Sequence, residues 1–285
     1  MKRVTREAYE ERMLRVLVHI QGNLDEELAL EELARVAFFS PYHFHRVFRG
    51  MVGESVKEHI RRLRLQRAAQ RLKQTRLAVV RIALDAGYET HESFTRAFKT
   101  MFGEAPSRFR ASRRPFPPLK IRSSFRKGKK MEVQIKAIRP KRVAFVRHGG
   151  PYSECGKAWD RLLAFVGMQG LLGADTEFIG VCYDDPEVTP RDKVRYDACV
   201  TVSEDFRPQG DVGVQLLDGG EYAVTMHQGP YDKLGETYVR LCGRWAPTSG
   251  REIRSAPSLE FYWNDPHGTE PGDLLTEIYL PIERK

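Results

Sequence analysis

No apolar run in the chain comes near the ~18 residues a membrane-spanning helix needs, and Met1-Lys2-Arg3 leads into charged sequence rather than a signal core. The chain is therefore expected to stay in the cytoplasm. Cysteine is scarce too. Cys155, Cys182, Cys199 and Cys242 show no CxxC spacing and sit among apolar neighbours. This argues against a disulfide scaffold or a thiolate metal site and leaves reduced, buried thiols as the expectation, with no metal and no cofactor. Proline is nearly missing from the first third, where only Pro41 occurs between Arg6 and Gly103. It directly follows Ser40, an N-cap with proline at the first helical position, which starts a helix rather than breaking one.

What is present supports two domains. The 285 residues are 41% hydrophobic and 30% charged, enough apolar mass for real cores. Charge is unevenly placed. Residues 1–130 hold 29 Lys and Arg against 14 Asp and Glu, a surplus of 15 positive charges. The remainder holds 18 against 24, a deficit of 6. A basic half that meets a polyanion and an acidic half with another task follow from that split. Residues 113–130, RRPFPPLKIRSSFRKGKK, carry three prolines and a basic run and read as a linker between domains 1–112 and 131–285.

The basic half is internally duplicated. LEELARVAFFSPYHFHRVFRGMVGES at 30–55 is echoed by VVRIALDAGYETHESFTRAFKTMFGEAPS at 79–107, with Phe44/Phe94, Arg46/Arg96, Phe48/Phe98 and Gly53/Gly103 matching at a spacing of 50. Each copy reads as a short helix, a turn, a capped second helix and a closing glycine, the organisation of a helix-turn-helix. In the first copy Phe44, Val47, Phe48 and Met51 share one helical face, which leaves Tyr42, His45, Arg46 and Arg49 pointing outward. In the second, Phe94, Ala97, Phe98, Met101 and Phe102 turn inward and His91, Glu92, Thr95, Arg96 and Lys99 outward. An exposed face with Arg, His and Thr in its N-terminal half suits major-groove readout. SVKEHIRRLRLQRAAQRLKQ at 55–74 reads as one stiff helical spacer between two reading heads.

SPYHFHRVFRGMVGES, the RRLRLQRA stretch and IALDAGYETHESFTRAFKTMFGEAPSRFR resemble the AraC/XylS transcription regulators over roughly residues 5–112. The resemblance implies two helix-turn-helix units joined by a long helix. It carries base-reading roles onto Tyr42, His45, Arg46, His91, Glu92, Thr95 and Arg96. Glu92 departs from the pattern, since a carboxylate accepts from cytosine N4 but repels phosphate. Double-stranded promoter DNA is then the expected partner, bound by one chain as a monomer, with RNA polymerase as a second.

The acidic half is also written twice. HGGPYSECGKAWDRLLAFV at 148–166 and HQGPYDKLGETYVRLCGRW at 227–245 match at a spacing of 79. FIGVCYDDPEVTPRDKVRYDACVTV at 178–202 then faces SLEFYWNDPHGTEPGDLLTEIYLPI at 258–282 at a spacing of 80. Each unit reads as strand, turn, helix, strand, turn, strand, and the expected class is α+β. In the HxGPY phrase glycine permits the turn, and Ser153 or Asp232 is placed to cap the helix that follows. His148 and His227 are read as hydrogen-bonded turn residues, because no neighbouring pair completes a nucleophile–base set, and no catalytic residue is assigned. Two such units should frame a cleft around a pseudo-twofold axis. Asp197 and Glu277, each in an otherwise apolar strand, are the candidate site acids.

This half resembles the GyrI-like effector-binding domains over roughly residues 131–284, through the HxGPY loops, the YDDP/WNDP turns, RYDAC and TEIYLPI. The resemblance implies a central cleft for small lipophilic or cationic compounds, with the acid in the closing strand as Glu277 and aromatic walls from Tyr152, Tyr183, Tyr231, Trp263 and Tyr279. The expected protein is a transcriptional regulator with a small-molecule effector. Two alternatives stay open, a second domain that docks protein instead of ligand, and one that hydrolyses a reactive small molecule with Glu277 as general base.

Overall fold

The computed structural model describes residues 2–112 and 131–284, so the segment read as a linker lies outside the described residues. The first part is all helical: α1 (Lys2–Gly22), α2 (Leu30–Val36), α3 (Pro41–Val52), α4 (Val56–Gln74), α5 (Val79–Asp85), α6 (His91–Phe102) and α7 (Pro106–Ala111). Helices α2–α3 and α5–α6 are the two helix-turn-helix units, and α4 is the spacer. A capping box starts α4, with Ser55 and Glu58 satisfying each other's backbone donors. Both reading helices end on a left-handed glycine, Gly53 at φ 89° and Gly103 at φ 82°. The turn inside the first unit puts Phe38 at φ 54°, where the second unit has Gly87 at φ 79°. Among the described residues no helix is long and apolar enough to cross a membrane.

The second part is α+β. Its first copy holds β1 (Gln134–Ile138), β2 (Lys141–Gly149), α8 (Gly156–Met168), β3 (Phe178–Cys182) and β4 (Arg195–Thr201). The second holds β5 (Gly213–Leu217), β6 (Gly220–Gln228), α9 (Leu234–Arg240), a π-helical segment Leu241–Trp245, α10 (Ala246–Ser249), β7 (Arg251–Ile253), β8 (Ser258–Tyr262) and β9 (Leu275–Arg284). The strands form one antiparallel sheet in the order β1-β6-β9-β8-β3-β4-β2-β5, with β7 on β9. The pseudo-twofold axis runs between β3 and β8, where Gly180 pairs with Glu260.

Two features go beyond the expected unit. The duplication starts earlier, at β1 and β5, and each of these strands crosses to the other copy: β1 pairs with β6 and β5 with β2. The HxGPY helices also begin differently, each through a 3-10 turn behind Pro151 or Pro230, without a side-chain cap from Ser153 or Asp232. Proline fixes φ there and the 3-10 turn closes on its carbonyl, so no capping side chain is required. His148 and His227 each bond that carbonyl, at 3.0 and 3.3 Å.

A sheet has two faces, and these are used differently. Helices α8 and α9 cover one. The other carries Val143, Ile179, Val181, Leu259, Phe261 and Tyr279 as a separate apolar cluster. A further core joins the two halves of the chain, running from Tyr9, Phe44, Val47 and Phe48 to Tyr238, Leu241, Cys242 and Ile278.

Candidate functional site

The two reading helices share a pattern and differ in surroundings. On α6 the residues His91, Glu92, Arg96 and Lys99 are exposed and Thr95 is half-buried, while Phe94 and Phe98 are in the core. Arg96 pairs with Glu92 at 3.1 Å on the open surface, an ion pair worth about 0–1 kcal/mol. Nothing in that pair prevents Arg96 from reaching a base.

On α3 the expected outward face is covered, and the expectation of exposure fails for His45 and Arg46. They retain 1% and 7% of their surface, and Arg49 is partly covered; the side chain of Tyr42 lies outside what the structure describes. The cover is the second half of the chain. His45 Nδ1 donates to Asp185 at 3.0 Å, in the YDDP turn. Arg46 Nε stands 3.7 Å from the same carboxylate, and its guanidinium carbon lies 3.9 Å over the Tyr238 ring. His43 Nε2 donates to the Ala256 carbonyl at 3.1 Å, and Arg49 pairs with Glu187. Burial works against the charges on Arg46 and Asp185, yet each holds the other ionised. The guanidinium is raised above its ordinary range by Asp185, and the Asp185 carboxyl is lowered by the His45 hydrogen bond and then by Arg46. Burial pushes His43 down to about 3, so it docks as the neutral ring.

Backbone geometry makes the contact possible. A Cβ on Gly50 would lie 2.4 Å from Gly243 Cα, and one on Gly243 would lie 2.2 Å from Gly50 Cα. Both crossing positions therefore require glycine. The contact also carries a cost. His45 Nε2 is buried without a hydrogen-bond partner among the described residues, which costs about 1–3 kcal/mol.

Within the second half the candidate acids separate. Asp197 and Glu277 lie on the sheet face away from the helices. Asp197 is fully buried and takes both Arg147 Nε (2.7 Å) and Nη2 (2.8 Å), the Tyr183 hydroxyl (2.9 Å) and Gln215 (3.0 Å). Glu277 accepts from Lys136 at 2.7 Å and from the Tyr279 hydroxyl at 3.0 Å, beside an open polar groove of about 620 Å³. Both acids already have cationic partners inside the chain. Trp263 is 64% exposed on the WNDP turn. The expected single set of ligand residues thus does not converge: Tyr183 and Tyr279 go with Asp197 and Glu277, while Tyr152 and Tyr231 lie on the helix side.

The helix side holds a third acid. Glu260, 5% exposed, accepts from the Tyr262 hydroxyl at 2.6 Å and the Tyr238 hydroxyl at 3.0 Å. Tyr262 in turn contacts Tyr196 (3.0 Å), which accepts from Trp159 Nε1 (3.0 Å). Tyr231 packs edge-on against Tyr262 at 5.5 Å and Tyr152 against Tyr196 at 5.8 Å. Burial first, then the Glu260 charge, pushes the Tyr238 and Tyr262 hydroxyls well above the usual phenol range, so both remain donors. No arginine or lysine is bonded to Glu260 among the described residues. It is an acid in an aromatic cage between α8 and α9.

Sequence reasoning missed Glu260, Tyr238, Tyr262, Tyr196 and Trp159 as a set. The signal was available, because in SLEFY a period-2 strand puts Ser258, Glu260 and Tyr262 on one face, with the carboxylate between apolar neighbours. Burial disfavours the thiolate form at each of the four cysteines. Burial raises Cys155 to about 11 and Cys242 to about 12. Among the described residues no group of His, Cys, Asp and Glu could hold a metal ion.

Comparison with known proteins places both halves. Residues 131–283 match the GyrI-like small molecule binding domain, and residues 33–112 match a helix-turn-helix domain of the AraC type. The chain is 25% identical to the right origin-binding protein of Escherichia coli (strain K12) over 281 residues, covering 94% of this chain and 97% of that one. It is 31% identical to the DNA gyrase inhibitor of Salmonella typhimurium over 159 residues, which is 54% of this chain and 100% of that protein. Against the HTH-type transcriptional activator AarP of Providencia stuartii it is 40% identical over 97 residues, 34% of this chain and 72% of that protein.

Proposed function

The chain belongs to the GyrI-like small-molecule-binding family and is a DNA-binding transcriptional regulator, and on that premise we propose that its effector is a lipophilic cation held beside Glu260. One observation carries this: a buried carboxylate is held by two tyrosine hydroxyls, inside aromatic rings, with no basic side chain bonded to it among the described residues. A carboxylate so placed favours a cation over a neutral compound, and the ring faces add attraction without a tight shape requirement. Glu277 is the weaker candidate because Lys136 already neutralises it. The same ion pair weakens the reading of Glu277 as a hydrolytic base, so binding rather than turnover is the proposed task of this half.

The DNA-reading residues of the proposal are those of both heads, His45, Arg46 and Arg49 on α3 and His91, Glu92, Thr95, Arg96 and Lys99 on α6, with Tyr42 assigned by its place in the first helix. RNA polymerase as a partner and the cytoplasm as compartment follow from the role of a regulator. The test is a thermal-shift comparison of the full chain with aromatic cations and their uncharged isosteres. The cations should raise the melting temperature of the wild type and fail to do so for Glu260→Gln. Equal shifts by charged and uncharged compounds would remove the cation reading.

A further inference from the structure

The fold treats its twin reading helices differently. Helix α6 turns its polar face to solvent, while α3 has His43, His45 and Arg46 buried against the second half of the chain. That second half departs from its own symmetry where α3 sits. In the first copy α8 is one continuous helix, whereas in the second the corresponding helix is interrupted by the π segment Leu241–Trp245. Gly243 in that segment is where Gly50 of α3 crosses. The repeated turn carboxylates diverge in the same way. Asp265 accepts from the backbone of its own turn, at His267 N, 2.9 Å. Asp185 does the equivalent at Glu187 N, 3.1 Å, and also takes His45 and Arg46.

We propose that this is an autoinhibited state, in which the small-molecule domain holds the first reading helix off DNA and a cation bound beside Glu260 releases it. Tyr238 is the joint. Its hydroxyl holds Glu260 and its ring carries the Arg46 guanidinium. A second cation drawn to Glu260 repels Arg46 and competes for the same ring, so effector and reading helix disfavour each other's binding by a shared amount. Until release, only α6 faces DNA. The competition rests on the proposed cation site; the docking stands apart from it.

The test uses full-length protein, with a duplex selected from random sequence by the Asp185→Asn chain. Asn keeps the turn acceptor for Glu187 N and removes the charge that holds Arg46. Hydroxyl-radical footprints of wild type should cover one half of the site, and those of Asp185→Asn and Gly243→Leu both halves. Release should tighten binding about tenfold if the closed state outweighs the open by about ten to one. Benzyltrimethylammonium should extend the wild-type footprint in the same way and leave that of Glu260→Gln unchanged. If Gly243→Leu fails to fold, Asp185→Asn decides the matter. A wild-type chain that, without cation, already protects both halves at the variants' affinity overturns the docking. If the cation binds through Glu260 and the footprint stays short, the competition is overturned. Absence of any Glu260-dependent cation binding refutes the cleft reading instead, and leaves the docking to the two footprint variants.

Discussion

Replacing Glu260 by Gln changes one charge and almost no volume, so its consequences can be worked from the geometry. Glu260 accepts from Tyr238 at 3.0 Å and Tyr262 at 2.6 Å, and both bonds have an ionised acceptor. Gln keeps one carbonyl acceptor, and its amide can donate to the other tyrosine oxygen. Each charge-assisted bond then becomes a neutral one, a loss of about 1 kcal/mol apiece. Removing a buried carboxylate that no described Arg or Lys bonds recovers desolvation of similar size, so the melting temperature should move by only a few degrees. Cation binding has no such compensation. A unit charge about 4 Å from a carboxylate gains about 4 kcal/mol at an effective dielectric constant near 20, part of it offset by desolvating the ligand. A net loss of about 2–3 kcal/mol follows, which is roughly 30- to 150-fold in Kd. Calorimetric titration of both chains with benzyltrimethylammonium and its uncharged carbon isostere is the assay. The isostere should bind both alike. Equal affinity of the cation for wild type and Glu260→Gln would refute the reasoning, and a loss seen instead in Glu277→Gln would move the site to the opposite face of the sheet.

Other consequences can be measured on the same protein. Asp197→Ala should lower stability by about 2–3 kcal/mol, because the Tyr183 and Gln215 groups lose a buried acceptor, while cation affinity stays unchanged; thermal melts beside calorimetry check both halves of that statement. Glu54, held by His59 and Arg62 against the opposing effect of burial, is lowered to about 2 from 4.5. Its depressed value means the contribution is complete above about pH 4.5 and lost as pH falls toward 2, on the order of 1–2 kcal/mol after allowance for its partial exposure. Urea titrations from pH 6 to 2.5 should show that loss in wild type and a flatter profile in Glu54→Gln.

Much of this architecture is legible in the sequence, and what escapes does so for identifiable reasons. Both duplications are visible because repeated turns force repeated residue types: glycine where φ is positive at 53 and 103, and glycine-proline after the strands at 150 and 229. Strands β1 and β5 escape because an exposed, two-sided strand such as QIKAI carries little alternation; only the spacing of 79 from Gln134 to Gly213 marks them as mates. The burial of α3 escapes for a different reason. Helical periodicity identifies one apolar face, and His43, His45 and Arg46 look like a solvated or DNA-facing remainder. Their partners lie 140 residues away and more, beyond any local pattern. One residue did signal it. Gly50 sits in a helix interior where its repeat-mate is Thr100, a choice that costs about 0.5–1 kcal/mol and is understandable only if another backbone comes close.

The same logic of broken symmetry explains why Glu260 has no acidic repeat-mate. Glu260 and Gly180 are repeat-mates paired across the pseudo-twofold axis, and they cannot both be side chains of any size. A Cβ on Gly180 would lie 2.5 Å from the Tyr196 hydroxyl and 2.7 Å from that of Tyr262, the two groups that lead from Trp159 to the carboxylate. The glycine is therefore the space in which the tyrosine hydroxyls meet the acid, and its mate supplies the charge. Gly180→Ala should displace both hydroxyls by a few tenths of an ångström or more and break the 2.6 Å contact of Tyr262 with Glu260. The backbone at 180 is ordinary extended strand, so alanine adds no backbone strain and its cost lies in the displaced tyrosines, about 1–2 kcal/mol for one or two disturbed buried hydrogen bonds. Cation affinity should fall by about three- to tenfold, less than in Glu260→Gln because the charge remains and only its positioning suffers. Paired melts and titrations with the cation read both quantities. If Gly180→Ala binds the cation as tightly as wild type while losing stability, the tyrosines hold the fold and not the acid, and the cage is a structural network rather than a binding site.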